Sequence, residues 1–167
     1  MSTVEEVEER TGANEREDDA LGIVKRNALW AAGVGLIAVP FVDIAGVTVV
    51  QLKMLKELAD NYETPFSEDL GKSAVASLLA GLGHRQLAFG ALASTLKAIP
   101  GLGSIIGAVS VPLFAGAVTY ATGRVFVQHF ESGGTFLTFD PAKVREKFKQ
   151  AFEEGKPVVA KSMEEQT

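Results

Sequence analysis

The stretch AIPGLGSIIGAVSVPLFAGAVTYATG, residues 98–123, runs from Lys97 to Arg124 without a single charge. An earlier stretch of the same length, NALWAAGVGLIAVPFVDIAGVTVVQL at 27–52, lies between Arg26 and Lys53 and carries only Asp43. About 20 apolar residues suffice for a helix to cross roughly 30 Å of hydrocarbon, and each of these windows holds 26. Neither reads as one straight span. Pro40 with Asp43 interrupts the first and Pro112 the second, which also contains Pro100, Gly101, Gly103, Gly107 and Gly116. Proline removes a backbone donor and its ring clashes with the preceding turn. The expected form is therefore a pair of apolar helical hairpins, broken by Gly and Pro and turning at Pro40, Asp43 and Pro112.

Working outward, the rest of the chain is unevenly charged. Apolar residues make up 47% of it, an average share, so bulk composition does not by itself declare a membrane protein. Residues 1–20 hold eight acids against Arg10 and Arg16 and read as an acidic, solvated, flexible arm. Thr3 and Glu6 have capping-box spacing there and would start a short helix. Residues 21–139 read as an apolar helical, membrane-associated domain, and 140–167 as an amphipathic helix and tail. The net charge is −5. No basic stripe exists to displace counterions from duplex DNA, so nucleic acid is not an expected partner. The absence of cysteine excludes disulfides and thiolate zinc sites. The acidic start is neither a secretory signal nor a transit peptide, which makes the cytoplasmic side the expected residence.

The pattern is all-α. A helix from Leu21 ends near Ala38–Val39, because the residue before Pro40 is pushed out of helical geometry. Asp43 is placed to cap a second helix, from about Ile44 to Asn61, whose latter half is amphipathic. Thr64-Pro65 breaks the chain and Ser67-Glu68-Asp69 signals a third start. The second window passes into RVFVQHFE and stops at Ser132-Gly133-Gly134. TFLTF at 135–139 is a candidate short strand. Asp140 as cap with Pro141 in the first turn opens the tail helix, where Val144, Phe148 and Phe152 repeat at i, i+4, i+8 on one stripe. The two windows share a helix–proline–helix outline, a weak sign of internal duplication.

Few residues carry chemistry. Gly101, Gly103 and Gly107 have the wrong spacing for a dinucleotide loop, with no strand before them. Gly103 and Gly107 do form G-x-x-x-G, and with Gly116 they point to close helix packing, within or between subunits. Asp43 reads as a helix cap, with an ion relay as the sharper alternative. His84 and His129 have no second ligand at metal spacing, and no serine sits in a nucleophile elbow. No catalytic constellation, cofactor site or metal site is expected. Lys25, Arg26, Trp30, Lys53, Lys97 and Arg124 bracket the windows as membrane-interface residues, Trp30 as an aromatic anchor.

Ile99-Pro100-Gly101, Thr119-Tyr120-Ala121 with Gly123, and Phe130-Glu131-Ser132-Gly133-Gly134 resemble motifs of the DUF697 family of small apolar helical domains. The resemblance covers roughly residues 21–155. It implies association with a bacterial membrane and a GTPase partner in trans, because many members adjoin or are fused to a GTPase domain. No G-x-x-x-x-G-K-[ST] occurs in this chain, so nucleotide hydrolysis is not implied.

Basic residues flank both ends of each window, so a turn at mid-window returns both ends to one side, in keeping with the positive-inside bias. Arms of about 12 residues reach roughly 18 Å, only partway through the hydrocarbon. The expectation is a non-enzymatic, homo-oligomeric protein on the cytoplasmic face of a bacterial inner membrane, wedged into one leaflet and scaffolding or curving the bilayer. The alternatives are a multi-span, channel-like integral protein and a soluble helical adaptor for a GTPase.

Overall fold

Helix-forming residues dominate between the proline and glycine breaks, and the computed structural model, which describes residues 2–35, 42–83 and 103–166, follows them. Five α-helices are described: α1 (Ser2–Val34), α2 (Val42–Asn61), α3 (Glu68–Gly81), α4 (Gly103–Glu131) and α5 (Pro141–Glu164). A single 3-10 turn occupies Phe136–Thr138. Among the described residues there is no strand, and the all-α class stands. The candidate strand at 135–139 is instead this 3-10 turn. Thr138 bonds back to Thr135 through its backbone N–H at 3.2 Å and accepts from the Thr135 N–H at 2.9 Å. That local pairing outcompetes a ladder which has no second strand to join.

The caps work as their chemistry requires. Ser67 Oγ accepts from the Leu70 N–H at 3.4 Å, and the Asp140 carboxylate accepts from the Ala142 N–H at 3.0 Å, with Pro141 opening α5. The end of α4 is closed by a left-handed Gly133 (φ +79°), with the Gly134 N–H bonded to His129 O and the Gly133 N–H to Phe130 O, both at 2.9 Å. That is a Schellman closure, which a residue with a Cβ adopts only at a cost.

Helix α4 is the axis on which the others pack. Its Gly116, Thr119 and Gly123 meet, respectively, Val159 of α5 and Ala28 of α1, Gln51 of α2, and Val24 of α1 with Met54 of α2. The order of these contacts makes α1 antiparallel to α4 and α2 parallel to it, and Gly155 against Tyr120, with Val159 against Gly116, makes α5 antiparallel as well. Fully buried Val24, Met54, Leu55, Leu58, Val118, Phe126 and Phe148 form the core. At one end an aromatic cluster closes it: Phe126 stacks on Phe139 at 4.3 Å and meets Phe130 and Phe136 at 5.6 and 5.3 Å.

Three further expectations change. Residues 1–20 do not form a segment separate from the body, because α1 runs unbroken from Ser2 to Val34; residues 3–19 are nonetheless exposed. Pro112 is not a hairpin turn, since α4 continues through it for 29 residues. Its backbone sits against Gly35, where an added methyl would lie 3.0 Å from Pro112 Cα. Burial against a neighbouring helix thus holds in place a proline that an isolated helix would not accommodate. Finally, the tail stripe needs neither lipid nor a second subunit for cover, because Phe148 and Phe152 are buried within the chain and Phe152 meets Phe114 edge-on at 5.6 Å.

Candidate functional site

A polar collar girdles α1 and α2 where the first window begins and ends. Glu57 accepts from Lys53 Nζ at 2.6 Å, Asn27 Nδ2 at 2.7 Å and Arg26 Nη2 at 3.0 Å. Burial pushes the Glu57 carboxyl up, but the hydrogen bonds from Lys53, Asn27 and Arg26, together with the Lys53 charge, outweigh it and hold the group below the usual carboxylate range. Asn27 is itself fully buried and also donates to Ile23 O at 3.0 Å. Two of the expected interface residues, Arg26 and Lys53, are therefore spent on a shared carboxylate. Lys25 is exposed beside them.

Past this collar the surface turns apolar. Trp30, one helical turn beyond Arg26, is 64% exposed, and Val49, one turn before Lys53, is 65% exposed. Gly33 and Ala45 continue the exposed face toward the ends of α1 and α2. Asp43 falls in the first turn of α2, which starts at Val42, and does not precede the helix as a cap would. Pro40 and Lys97 lie outside the described residues, as does His84. Among the described residues, no helix is long and apolar enough to cross a membrane.

The glycine positions divide. A methyl on Gly116 would lie 2.7 Å from Val159 Cγ1 and 3.1 Å from Ala28 O, so its close approach is made inside one chain. Gly103 opens α4 and Gly107 lies in its second turn, their surroundings outside the described residues. Two further glycines do the same work as Gly116: Gly123, already part of the quoted family motif, against Val24 and Met54, and Gly155, which no sequence signal marked, against Tyr120 and Ala117 O. Gly134 leaves room for the His129 ring, whose Nε2 lies 2.8 Å from Thr135 O. The clustered motifs around 119–123 and 130–134 are thus packing and capping devices. Gln51 is buried with Nε2 on Thr119 Oγ1 at 3.3 Å, while its Oε1 has no protein partner among the described residues.

A groove of about 760 Å3 runs between α4 and α5 beside α1, with the carboxylates of Glu17, Glu131 and Glu154 in its lining. Val127 and Ala151 line it together with Arg124 and Lys147. Arg124, expected at a membrane interface, lines this groove one residue past Gly123, which packs on Val24 and Met54 at the level of the collar. Val144 is half-buried at the start of the α5 stripe. Among the described residues no group of three or more His, Cys, Asp or Glu could hold a metal ion.

Residues 2–157 match the family described as "Domain of unknown function (DUF697)". The chain is also 42% identical over 142 residues to "Magnetosome membrane protein 22" of Magnetospirillum gryphiswaldense, a match covering 85% of this chain and 73% of that protein. No solved structure matches.

Proposed function

The chain belongs to the DUF697 family, and from that premise we propose that it is a non-enzymatic, membrane-associated protein that lays the apolar flank of its bundle into one leaflet and scaffolds the membrane by self-association. The observation that carries this reading is the sharp boundary on α1 and α2. Arg26, Lys53 and Glu57 form an ion-paired collar, and one turn beyond it Trp30 and Val49 stand two-thirds exposed. An indole just past a ring of charge is the arrangement favoured at the headgroup boundary. The similar magnetosome membrane protein supports a membrane setting. A magnetosome membrane, or another bacterial membrane facing the cytoplasm, is the setting this reading assigns.

The tail argues for partial immersion. Val159 packs on Gly116, so the last turns of α5, with Lys161 and Glu165, run beside the apolar start of α4. A bundle spanning the bilayer at that level would carry those charges into hydrocarbon, at about 2.5–3.5 kcal/mol each near the centre. One flank is clad in charge and the other, bearing Trp30 and Val49, is bare. Such an asymmetric body suits a surface better than a pore.

Flotation with liposomes tests the reading. The purified chain is expected to rise with vesicles of mixed anionic lipid and to resist release by high salt, and Trp30 fluorescence should shift to shorter wavelength on binding. A chain that stays at the bottom of the gradient with unshifted fluorescence refutes it. The soluble adaptor for a GTPase in trans is the second reading, favoured by the full burial of Met54, Leu55, Leu58 and Val118 inside the chain. That outcome of the same gradient would support it.

A further inference from the structure

Charge is laid down in one order along both helices of the exposed flank. On α1 no charged residue lies between Arg26 and the end of the helix at Val34, and on α2 none lies between Ile44 and Lys53. Trp30 and Val49 stand exposed inside these uncharged stretches. The first charges met on leaving them toward the collar are cations: Arg26, with Lys25 beside it, on α1, and Lys53 on α2. Acids come later. Glu57 and Asp60 follow Lys53 by about one and two turns, and Asp19 precedes Arg26 by about two. Asp43, in the first turn of α2, lies roughly 15 Å along the helix from Lys53 on the other side. Apolar surface, then cation, then acid is the sequence that matches hydrocarbon, phosphate and water at the face of a leaflet.

The collar does not exhaust these cations. Among the described residues Arg26 meets Glu57 through Nη2 alone, which leaves Nε and Nη1 to another acceptor, and Lys25 makes no ion pair. The Arg26 and Lys53 side chains remain 54% and 56% exposed. Glu57 takes them on separate oxygens, Oε2 and Oε1, and so holds cations from two helices on either side of one carboxylate. Lys56 pairs with Asp60 at 3.3 Å, and their charges cancel. What remains is Lys25, Arg26 and Lys53 against Glu57, a local excess of positive charge beside an exposed indole. A small anion would use the cations and leave the apolar surface bare. A ligand that uses both carries its negative charge on an apolar body, which is the chemistry of an anionic phospholipid.

We propose that Lys25, Arg26 and Lys53 bind the phosphate of anionic phospholipids while Trp30 and Val49 enter the acyl region, so that this flank selects anionic over zwitterionic membranes. This rests on the membrane reading above and adds the headgroup to it. The chain's net charge of −5 sharpens the test, because bulk electrostatics alone would drive the protein away from an anionic surface. Flotation at low salt with mixed phosphatidylglycerol and phosphatidylcholine vesicles should show binding at least about tenfold tighter than with phosphatidylcholine alone, since each basic side chain at an anionic surface is worth about fivefold. Arg26→Gln with Lys53→Gln should abolish that preference. Lys25→Gln, which breaks no ion pair, should weaken it about fivefold. Lys143→Gln with Lys147→Gln removes the same charge from exposed positions on α5 and should leave the preference intact, as should the charge-conserving exchange Arg26→Lys with Lys53→Arg. Circular dichroism checks that each variant is folded. Excess inorganic phosphate at constant ionic strength should not compete. Equal losses from the two glutamine pairs, or displacement by phosphate, which would mark a site for a free anion, overturn the proposal. A chain that floats alike with both kinds of vesicle keeps the membrane reading and overturns this inference alone; one that floats with neither overturns both.

Discussion

Gly123→Ala is the most direct probe of the junction that organises this fold. A methyl group on Gly123 would lie 2.6 and 2.8 Å from the two γ carbons of Val24 and 3.0 Å from Met54 Sδ. Optimal carbon–carbon contacts are about 3.5–4.0 Å, so α1 and α4 would have to part by close to 1 Å, and both neighbours are fully buried. Overpacking of this kind costs about 1–3 kcal/mol. Alanine recovers about 1 kcal/mol over glycine inside a helix, leaving a net loss of about 0–2 kcal/mol. Gly22, exposed on α1 with nothing within 4 Å of its added methyl, supplies the control, and there alanine should stabilise by about 0.5–1 kcal/mol. The two variants should thus differ by about 0.5–3 kcal/mol, or roughly 1–12 °C in melting temperature for a chain of this size. Thermal unfolding followed by circular dichroism, both variants in the same detergent, measures it. If Gly123→Ala melts at or above Gly22→Ala, the three-helix junction is not tightly packed and the account of α4 as the packing axis fails.

The remaining expectations concern caps and the collar. Asp140→Ala removes the acceptor for the Ala142 N–H and should cost about 1 kcal/mol, read by urea unfolding, with Asp140→Asn nearly neutral. Gly133→Ala, forced into a left-handed conformation at φ +79°, should cost about 1–2 kcal/mol by the same measurement, whereas the exposed Gly12→Ala should not destabilise. The depressed Glu57 carboxyl contributes stability that is complete above its unfolded value of about 4.3 and is lost as pH falls through the lower folded value. The difference in stability between the native chain and Glu57→Gln should therefore shrink with acidification below about pH 4.3. Because Arg26 and Lys53 are more than half exposed, it should stay within about 1 kcal/mol, and a difference that grows with acid would contradict the collar's geometry.

Much of the helical order was legible because its signals are local. Ser67 and Asp140 announce their helices by cap chemistry, and the stripe of Val144, Phe148 and Phe152 by spacing alone. What spacing cannot say is which surface a stripe will find. The tail stripe turned inward onto Phe114 because Gly155 and Gly116 let α5 lie close to α4, a match between glycines distant in sequence. Pro112 misled for a related reason. A rule about isolated helices, that proline ends or bends them, was overridden by a tertiary contact at Gly35. At the collar, the fully buried Asn27 and the Glu57 it holds carry no sequence motif; they become a unit only when α1 and α2 fold back on each other.

The equal length of the two apolar windows invites a single explanation, yet the described parts of the chain use them differently. In the first, Trp30 and Val49 keep an apolar surface outward, beyond charges already committed to one another. In the second, Ala115, Ala117, Val118, Tyr120 and Ala121 are buried among α1, α2 and α5, and the absence of charge there is what a central helix with neighbours on several sides demands. A charge-free run of spanning length is thus compatible with two fates, and the small residues distinguish them. Where glycine, alanine and threonine crowd one stretch, as from Ala115 to Gly123, backbones approach and the run becomes core. Where bulky side chains such as Trp30 and Val49 stand out past a cluster of ion pairs, the run has apolar area left over, about 25 cal/mol for each Å2 that a lipid leaflet would remove from water. If the proposed membrane function holds, that leftover area on the Trp30–Val49 flank would give this small bundle a preferred orientation at a bilayer surface.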